Sequence, residues 1–337
     1  MENYACFVGI DVSKAKLDVT LLLSPIIPDL PQQHFIVSND KKGIGQIFKE
    51  LVRKKIELST VLFCFEDTGV YSMPLSCFLS DQRLDYWMVP AIEIKRSKGI
   101  SRGKSDKADA RDIAFYAATH LHKLKLSSIA PENLLKLKIL FTERQKVLKA
   151  LTILESTLES AGFVSKNVMI SVTKINAASI RQLKKSLQLL DKEMQDIIAS
   201  DDVLSRQNEL IQSLPGLGPM TTTYLIIVTK AFQSFDNWRQ LACYAGVAPF
   251  EYSSGSSIKG RTKVHPMADK KLKSLLNMCA MNAKKYDTEM KLYFERKVAE
   301  GKNKMLVLNS IRCKLLARIF AIIKRNSPYV DVLKFAA

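Results

Sequence analysis

Phe7-Val8-Gly9-Ile10-Asp11-Val12-Ser13-Lys14 is the stretch from which the fold is read. The apolar run over residues 5–10 reads as a strand, and Asp11 stands at its polar end. A short turn containing Ser13 and Lys14 leads into residues 17–23, a second strand, so the two form a hairpin. Residues 34–37 supply a third strand. Residues 41–54 carry Ile44, Ile47, Phe48 and Leu51 at helical spacing, and residues 60–65 are a short buried strand. Beyond Thr68-Gly69, residues 71–80 read as a helix and 86–89 as a strand before Pro90. Residues 105–118 read as a helix with Ala108, Ile113, Ala114 and Ala117 apolar. This β-β-β-α-β-α-β-α order suits an α/β unit, a mixed sheet with helices on its faces.

Four carboxylates stand out against that frame. Asp11 ends the first strand, and Glu66 ends the buried strand Val61-Leu62-Phe63-Cys64-Phe65. A carboxylate at the end of an apolar strand costs desolvation unless it is paired or binds a cation. Ser105-Asp106-Lys107-Ala108-Asp109 then places two acids at i and i+3, on one helix face. Together they form a candidate oxygen cage for Mg²⁺, able with two ions to position and polarise a scissile phosphate. Plainer roles exist for each. Asp106 suits a helix N-terminus, Asp109 a solvated surface, Asp112 the next place in the i+3 series or a surface ion pair, and Asp11 the phosphate hairpin of a sugar kinase. Their order favours a nuclease-type site. Lys95, Arg96, Lys98, Arg102, Lys104 and Lys107 add the positive charge that a phosphate backbone needs beside carboxylates.

Charge points the same way. The 337 residues include 51 Lys and Arg against 33 Asp and Glu, a net charge of +18, with otherwise ordinary globular composition. Most of the excess lies after residue 205, which predicts a polyanion partner, nucleic acid being the commonest. The six cysteines form no C-x-x-C pair and read as reduced core thiols of a cytosolic protein, and His120 and His122 have no Cys or acid cluster to make a zinc site. The first residues lack a signal-peptide pattern, and no apolar run approaches the ~18 residues of a membrane span. A soluble intracellular protein with no membrane partner is expected.

Residues 132–205 contain no Pro and only Gly162, with Leu183, Leu187, Leu190, Met194 and Ile197 at helical spacing. This predicts long helices in an antiparallel or coiled-coil hairpin, serving dimerisation or packing on its own domain. Leu214-Pro215-Gly216-Leu217-Gly218-Pro219 resembles a helix-hairpin-helix turn, in which Gly216 and Gly218 let backbone N–H groups approach a phosphate; a plain helix–helix turn is the alternative. Residues 252–260 read as a Ser/Gly loop, with Ser253-Ser254-Gly255-Ser256-Ser257 followed by Lys259, Arg261 and Lys263. A serine beside cations can attack phosphorus, although most such loops are only loops. Helices are expected at 268–284 and 306–325.

Residues 7–14, 65–69, 104–114, 214–218 and 242–263 resemble, in that order, the DEDD transposases of the bridge-RNA-guided insertion-sequence family, over about residues 5–330. The resemblance implies an RNase H-like (RuvC-like) α/β domain over 1–130 and a helical coiled-coil region over 131–205. A mainly α transposase domain with a helix-hairpin-helix motif and a catalytic serine loop would follow over 206–337. It implies catalytic, metal-holding roles for Asp11, Glu66, Asp106 and Asp109, with Mg²⁺ or alternatively Mn²⁺ as cofactor. The family serine precedes a Gly after a Gly-x-x-Pro element. Gly246-Val247-Ala248-Pro249 therefore points to Ser254, with Ser253, Ser256 and Ser257 crowding the position. His265-Pro266 stands where the family often has Gly-Asn. Nucleic-acid contacts are expected from Lys14, Lys98, Arg102, Lys104, Lys107, Gly216, Gly218, Lys259, Arg261 and Lys263. The implied activity is DNA transposition or recombination through a phosphoserine intermediate. Its partners would be donor and target DNA, a structured non-coding guide RNA and further copies of the chain as a dimer or tetramer, in the prokaryotic cytoplasm at the nucleoid. Rival readings are a RuvC-like nuclease or junction resolvase that uses water, and a catalytically inactive nucleic-acid-binding protein. A kinase lacks support because no second glycine-rich phosphate loop is present.

Overall fold

The computed structural model describes residues 4–24, 33–97, 105–160, 163, 166–248, 250–254, 258–264 and 267–331. It divides into two compact units, Met1–Ile129 and Ala130–Ala337.

The first unit is built on five strands: β1 (Cys6–Val12), β2 (Lys16–Leu23), β3 (Gln33–Ser38), β4 (Val61–Glu66) and β5 (Tyr86–Val89). They are ordered β3-β2-β1-β4-β5. β1, β2 and β3 pair antiparallel, whereas β4 pairs parallel with β1 and β5 parallel with β4. A parallel neighbour needs a crossover, which α1 (Lys41–Arg53) and α2 (Met73–Asp81) provide. α3 (Ala91–Ser97) and α4 (Asp106–Thr119) complete the unit. The segment of α3 reads in sequence only as the head of a basic run, because seven residues are too few to show a helical period.

Strand alternation sends Val8, Ile10, Leu17, Val19, Phe63 and Phe65 into one core with Ile44, Ile47 and Leu51 of α1 and Leu75 and Leu79 of α2. The opposite positions Phe7, Leu22, Leu62, Cys64 and Trp87 pack with Ile94 of α3 and Ile113, Ala114 and Ala117 of α4. Both faces are covered, so β1 and β4 read as unbroken apolar runs rather than alternating ones. Gly9 makes the closest approach of helix to sheet. A Cβ there would lie 2.3 Å from the Ala110 carbonyl oxygen and the Ala114 backbone nitrogen. α4 can therefore rest directly on β1.

The second unit opens with α5 (Glu132–Ser160) and α6 (Lys166–Ala199). Asn133 bonds Asp201, Arg144 pairs with Asp191, and Glu155 pairs with Lys184. Partner numbers fall as the first numbers rise, so the two helices run antiparallel. The base of this hairpin, with Leu134, Leu137, Phe141, Met194 and Ile198, shares one core with the helices that follow. Those are α7 (Asp202–Gln212), α8 (Pro219–Thr229), α9 (Trp238–Tyr244), α10 (Lys270–Tyr286), α11 (Thr288–Ala299) and α12 (Lys304–Arg325).

One expectation is corrected. Much of the stretch read as a Ser/Gly loop over 252–260 is paired: β6 (Phe250–Ser254) runs antiparallel to β7 (Ile258–Lys263), with Ser253 opposite Lys259 and Ser254 opposite Ile258. Phe250, Tyr252, Ile258 and Thr262 favour strand. The serines and Gly255 drew the loop reading, but only 255–257 separate the strands, and those three lie outside the described residues.

Gly9→Val should lower stability by about 3 kcal/mol or more, because the added carbons meet backbone that cannot turn aside. Gly45→Ala serves as the control: it lies within α1 with nothing near its would-be Cβ, and should gain about 0.5–1 kcal/mol. Urea midpoints of the two variants measure both; a Gly9→Val midpoint equal to wild type would refute the close approach.

Candidate active site

Asp11 lies on β1 two residues beyond Gly9 and thus on the same sheet face, toward α4. Its partner across the antiparallel pair is Asp18 of β2. On the other side Ile10 pairs with Phe65, so the parallel register brings Glu66 beside Asp11. α4 starts at the N-cap Ser105, whose Oγ accepts the Ala108 N–H at 3.2 Å. Asp106 and Asp109 fall in its first turn, where the helix dipole favours negative charge. Gly9 under Ala110 and Ala114 holds that turn against the strand ends. Burial raises the Asp11 pKa from 3.8 to about 6, reinforced by the charges of Asp109, Asp106, Glu66 and Asp18 in that order. The four acids picked from the sequence thus form one electrostatic neighbourhood centred on Asp11.

Three members of this neighbourhood escaped the sequence reading: Lys16, Asp18 and His34. The Lys16 Nζ donates to Asp106 at 2.7 Å and lies 3.1 Å from Asp18. Those two hydrogen bonds raise its pKa. Asp18, only 3% exposed, also meets His34 Nε2 at 3.1 Å. The available signal was register. An acid in a strand buried on both faces, opposite another acid, must be neutralised locally.

As the side chains lie, no three His, Cys, Asp or Glu among the described residues enclose an ion. The chemistry of the set nevertheless suits a hard divalent cation, since every donor is a carboxylate oxygen. Asp112 lies 3.5 Å from the neighbouring Arg111 Nε, matching the ion-pair alternative raised for it.

The remaining predicted positions scatter. Lys14 is exposed in the β1–β2 turn and Lys107 is exposed in the first turn of α4. Lys98, Arg102 and Lys104 lie outside the described residues. Gly216, in the α7–α8 turn, has φ +92°, and a Cβ there would come within 2.7 Å of the Ala283 nitrogen, so it serves the packing of α10. Gly218 caps α8 with open space around it. Ser254 ends β6, and Lys259, Arg261 and Lys263 occupy alternate positions of β7. The acids belong to the first unit and Ser254 to the second.

Comparison with known proteins finds two family matches along the chain. A model of DEDD transposases of the IS110 type matches residues 8–161. A second, described as Transposase IS116/IS110/IS902 family, matches residues 208–295. The chain is 27% identical over 328 residues to the pilin gene-inverting proteins of Moraxella lacunata and Moraxella bovis, covering 96% of this chain and 97% of each relative. It is 26% identical over 204 residues to an uncharacterized 42 kDa protein of insertion element IS900 from Mycobacterium paratuberculosis, covering 58% of this chain and 50% of the other. Among solved structures, T. thermophilus RuvC in complex with a Holliday junction substrate matches over 37% of this chain and 100% of that one, at 13% identity and a TM-score of 0.25, too slight a likeness to carry an argument.

The burial of Asp11 among like charges predicts a pH dependence. A carboxyl whose folded pKa lies near 6 and whose ordinary value is 3.8 costs nothing while protonated in both states; stability then falls as pH rises from about 4 to about 6 and stays lowered above. Asp11→Asn removes that cost. In metal-free buffer at pH 7.5 the variant should be more stable than wild type by on the order of 1–2 kcal/mol, a gain that shrinks toward zero near pH 4. Chemical denaturation across this range tests it, and a variant no more stable at pH 7.5 would count against that burial among like charges.

Proposed function

From the two transposase family models that match residues 8–161 and 208–295, we propose that the chain is a DEDD transposase of the IS110 type that cuts and rejoins the DNA of an insertion sequence through a phosphoserine intermediate. It is a DNA transposase or recombinase, and its resemblance to proteins named for inverting a pilin gene supports rearrangement of DNA as the outcome. The observation that carries the reading is the placement of Glu66 beside Asp11 by the sheet register and of Asp106 and Asp109 in the first turn of the helix resting on Gly9; burial raises the Asp11 pKa, and these charges raise it further.

Asp11, Glu66, Asp106 and Asp109 are the residues to hold Mg²⁺ or Mn²⁺. When bound, such an ion neutralises these acids and polarises the scissile phosphate. The Ser254 hydroxyl attacks phosphorus: a serine–phosphate ester forms as the bond to the departing sugar oxygen breaks, and the serine proton passes through solvent to that oxygen. Reversal by another DNA end restores the serine and rejoins the strand. Lys14, Lys98, Arg102, Lys104, Lys107, Lys259, Arg261 and Lys263 hold donor and target backbones, with α7–turn–α8 acting as a helix-hairpin-helix through the backbone around Gly216 and Gly218.

A structured guide RNA is the further polyanion we assign to the +18 chain. Assembly of two or four copies is supported by the α5–α6 hairpin, which exposes Ile139, Ile153, Ile170, Ile175 and Leu189. In such an assembly the acids of one copy can serve the serine of another. No helix among the described residues is long and apolar enough to cross a membrane, and we place the protein in the bacterial cytoplasm at the nucleoid.

The test is to incubate the protein with Mg²⁺ and DNA carrying the element ends, then denature and resolve covalent adducts. Ser254→Ala should abolish adducts while leaving DNA affinity within about twofold. Asp11→Ala should lower adduct yield and strand transfer by at least ~100-fold. Adducts persisting in Ser254→Ala would move the nucleophile to Ser253, Ser256 or Ser257. Cleavage by wild type without any adduct would replace the serine with water.

A further inference from the structure

Beside the carboxylates, between the β2–β3 face and α4, lies a cavity of about 220 Å³ lined by Thr20, His34, Ser105, Lys107, Ala108 and Arg111. Thr20 and His34 are direct partners across the β2–β3 pair. Ser105 and Ala108 begin the facing helix, whose first-turn N–H groups present partial positive charge to this side of the sheet.

Thr20 is the unusual member. It is 1% exposed, and its Oγ1 has no hydrogen-bond partner among the described residues. A buried hydroxyl left unsatisfied is costly, and a buried strand position of this kind suits Val as well. The other polar groups are committed in ways that orient them. His34 Nε2 lies on Asp18, and Ser105 Oγ caps the helix. Arg111 Nε lies 3.5 Å from Asp112, and its guanidinium carries further donors in a half-exposed side chain. Lys107 is exposed at the rim. A helix start, two cations and an idle hydroxyl around one small cavity make a binding place for a tetrahedral oxyanion.

We infer that this cavity receives a phosphate of the nucleic-acid backbone, one step along the strand from the phosphate held at the carboxylates. Thr20 follows Asp18 by two residues on β2, about 7 Å along the strand. A polynucleotide that lies over the acids and runs along β2 would bring its next phosphate to the cavity. Arg111 and Lys107 supply charge, the α4 N-terminus supplies backbone donors, and Thr20 Oγ1 donates the hydrogen bond it lacks in the free protein. The subsite rests on the transposase reading for the strand it holds, but it binds DNA without chemistry and is tested without it.

The experiment measures binding of the full chain to a labelled DNA duplex in EDTA, with salt varied. Thr20→Val should weaken binding about fivefold while its melting temperature without DNA equals or exceeds that of wild type, since the lost hydroxyl had no partner. Arg111→Gln should weaken binding threefold to tenfold and reduce the slope of log affinity against log salt by about one. Inorganic phosphate against chloride at matched ionic strength forms the second arm. Phosphate that stabilises wild type but not Arg111→Gln, with the DNA affinities of both variants unchanged, would mean a free phosphate site and overturn the backbone assignment. Wild-type DNA binding and slope in both variants, with no phosphate effect, would overturn the site altogether. Either failure leaves the transposase reading standing if wild type still yields serine adducts; absent adducts with weakened variants would uphold the subsite and sink that reading.

Discussion

The missing side chain of Gly9 is the constraint on which the rest of the first unit depends. With no Cβ, β1 admits the backbone of α4 at Ala110 and Ala114, closer than any substituted residue allows. Asp11 follows Gly9 by two residues, and Asp109 precedes Ala110 by one. One contact therefore fixes the distance between strand-end and helix-start carboxylates. Had residue 9 carried even a methyl group, the helix would stand off the sheet and the acids would separate. The site is a consequence of how tightly the sheet's second face is packed.

That packing gathers charges that repel one another, and the protein offsets the repulsion with Lys16. Its ammonium bonds both Asp106 and Asp18 from within the hairpin. This is a monovalent counter-charge on a flexible stem, left half-exposed, rather than a rigid buried ion pair. Asp106 and Asp18 are thus each met by a positive charge from the chain itself, and the acids stay together through a flexible lysine.

The five strands and the first, second and fourth helices were legible because their signals are local. β1 and β4 are apolar runs ended by acids, and α4 shows its cap and apolar positions together. Asp11, Glu66, Asp106 and Asp109 could be chosen because each sits at an element boundary, where a charge in the sequence is conspicuous. Asp18 and His34 could not, because their meaning lies in register: Asp18 matters as the partner of Asp11, and His34 as the partner of Thr20. Composition misled at residues 252–260. Serine and glycine at the turn drew the eye from the alternation of Phe250, Tyr252 and Ile258 that makes the hairpin.

Register also explains why the two faces of the first unit differ in use. On the face toward α1 and α2, β1 and β2 offer only apolar residues, and the packing there carries the stability of the sheet. On the face toward α4, the same strands offer Phe7, Gly9 and Leu22 to packing but also the polar Asp11, Lys16, Asp18 and Thr20. A one-residue slip of β2 against β1 would bury Lys16 among leucines and send Asp18 into the apolar core. The hydrophobic face thus locks the register, and the locked register sets the polar groups of the other face opposite one another. Stability and chemistry are specified by alternate residues of the same two strands, and neither set can shift without the other.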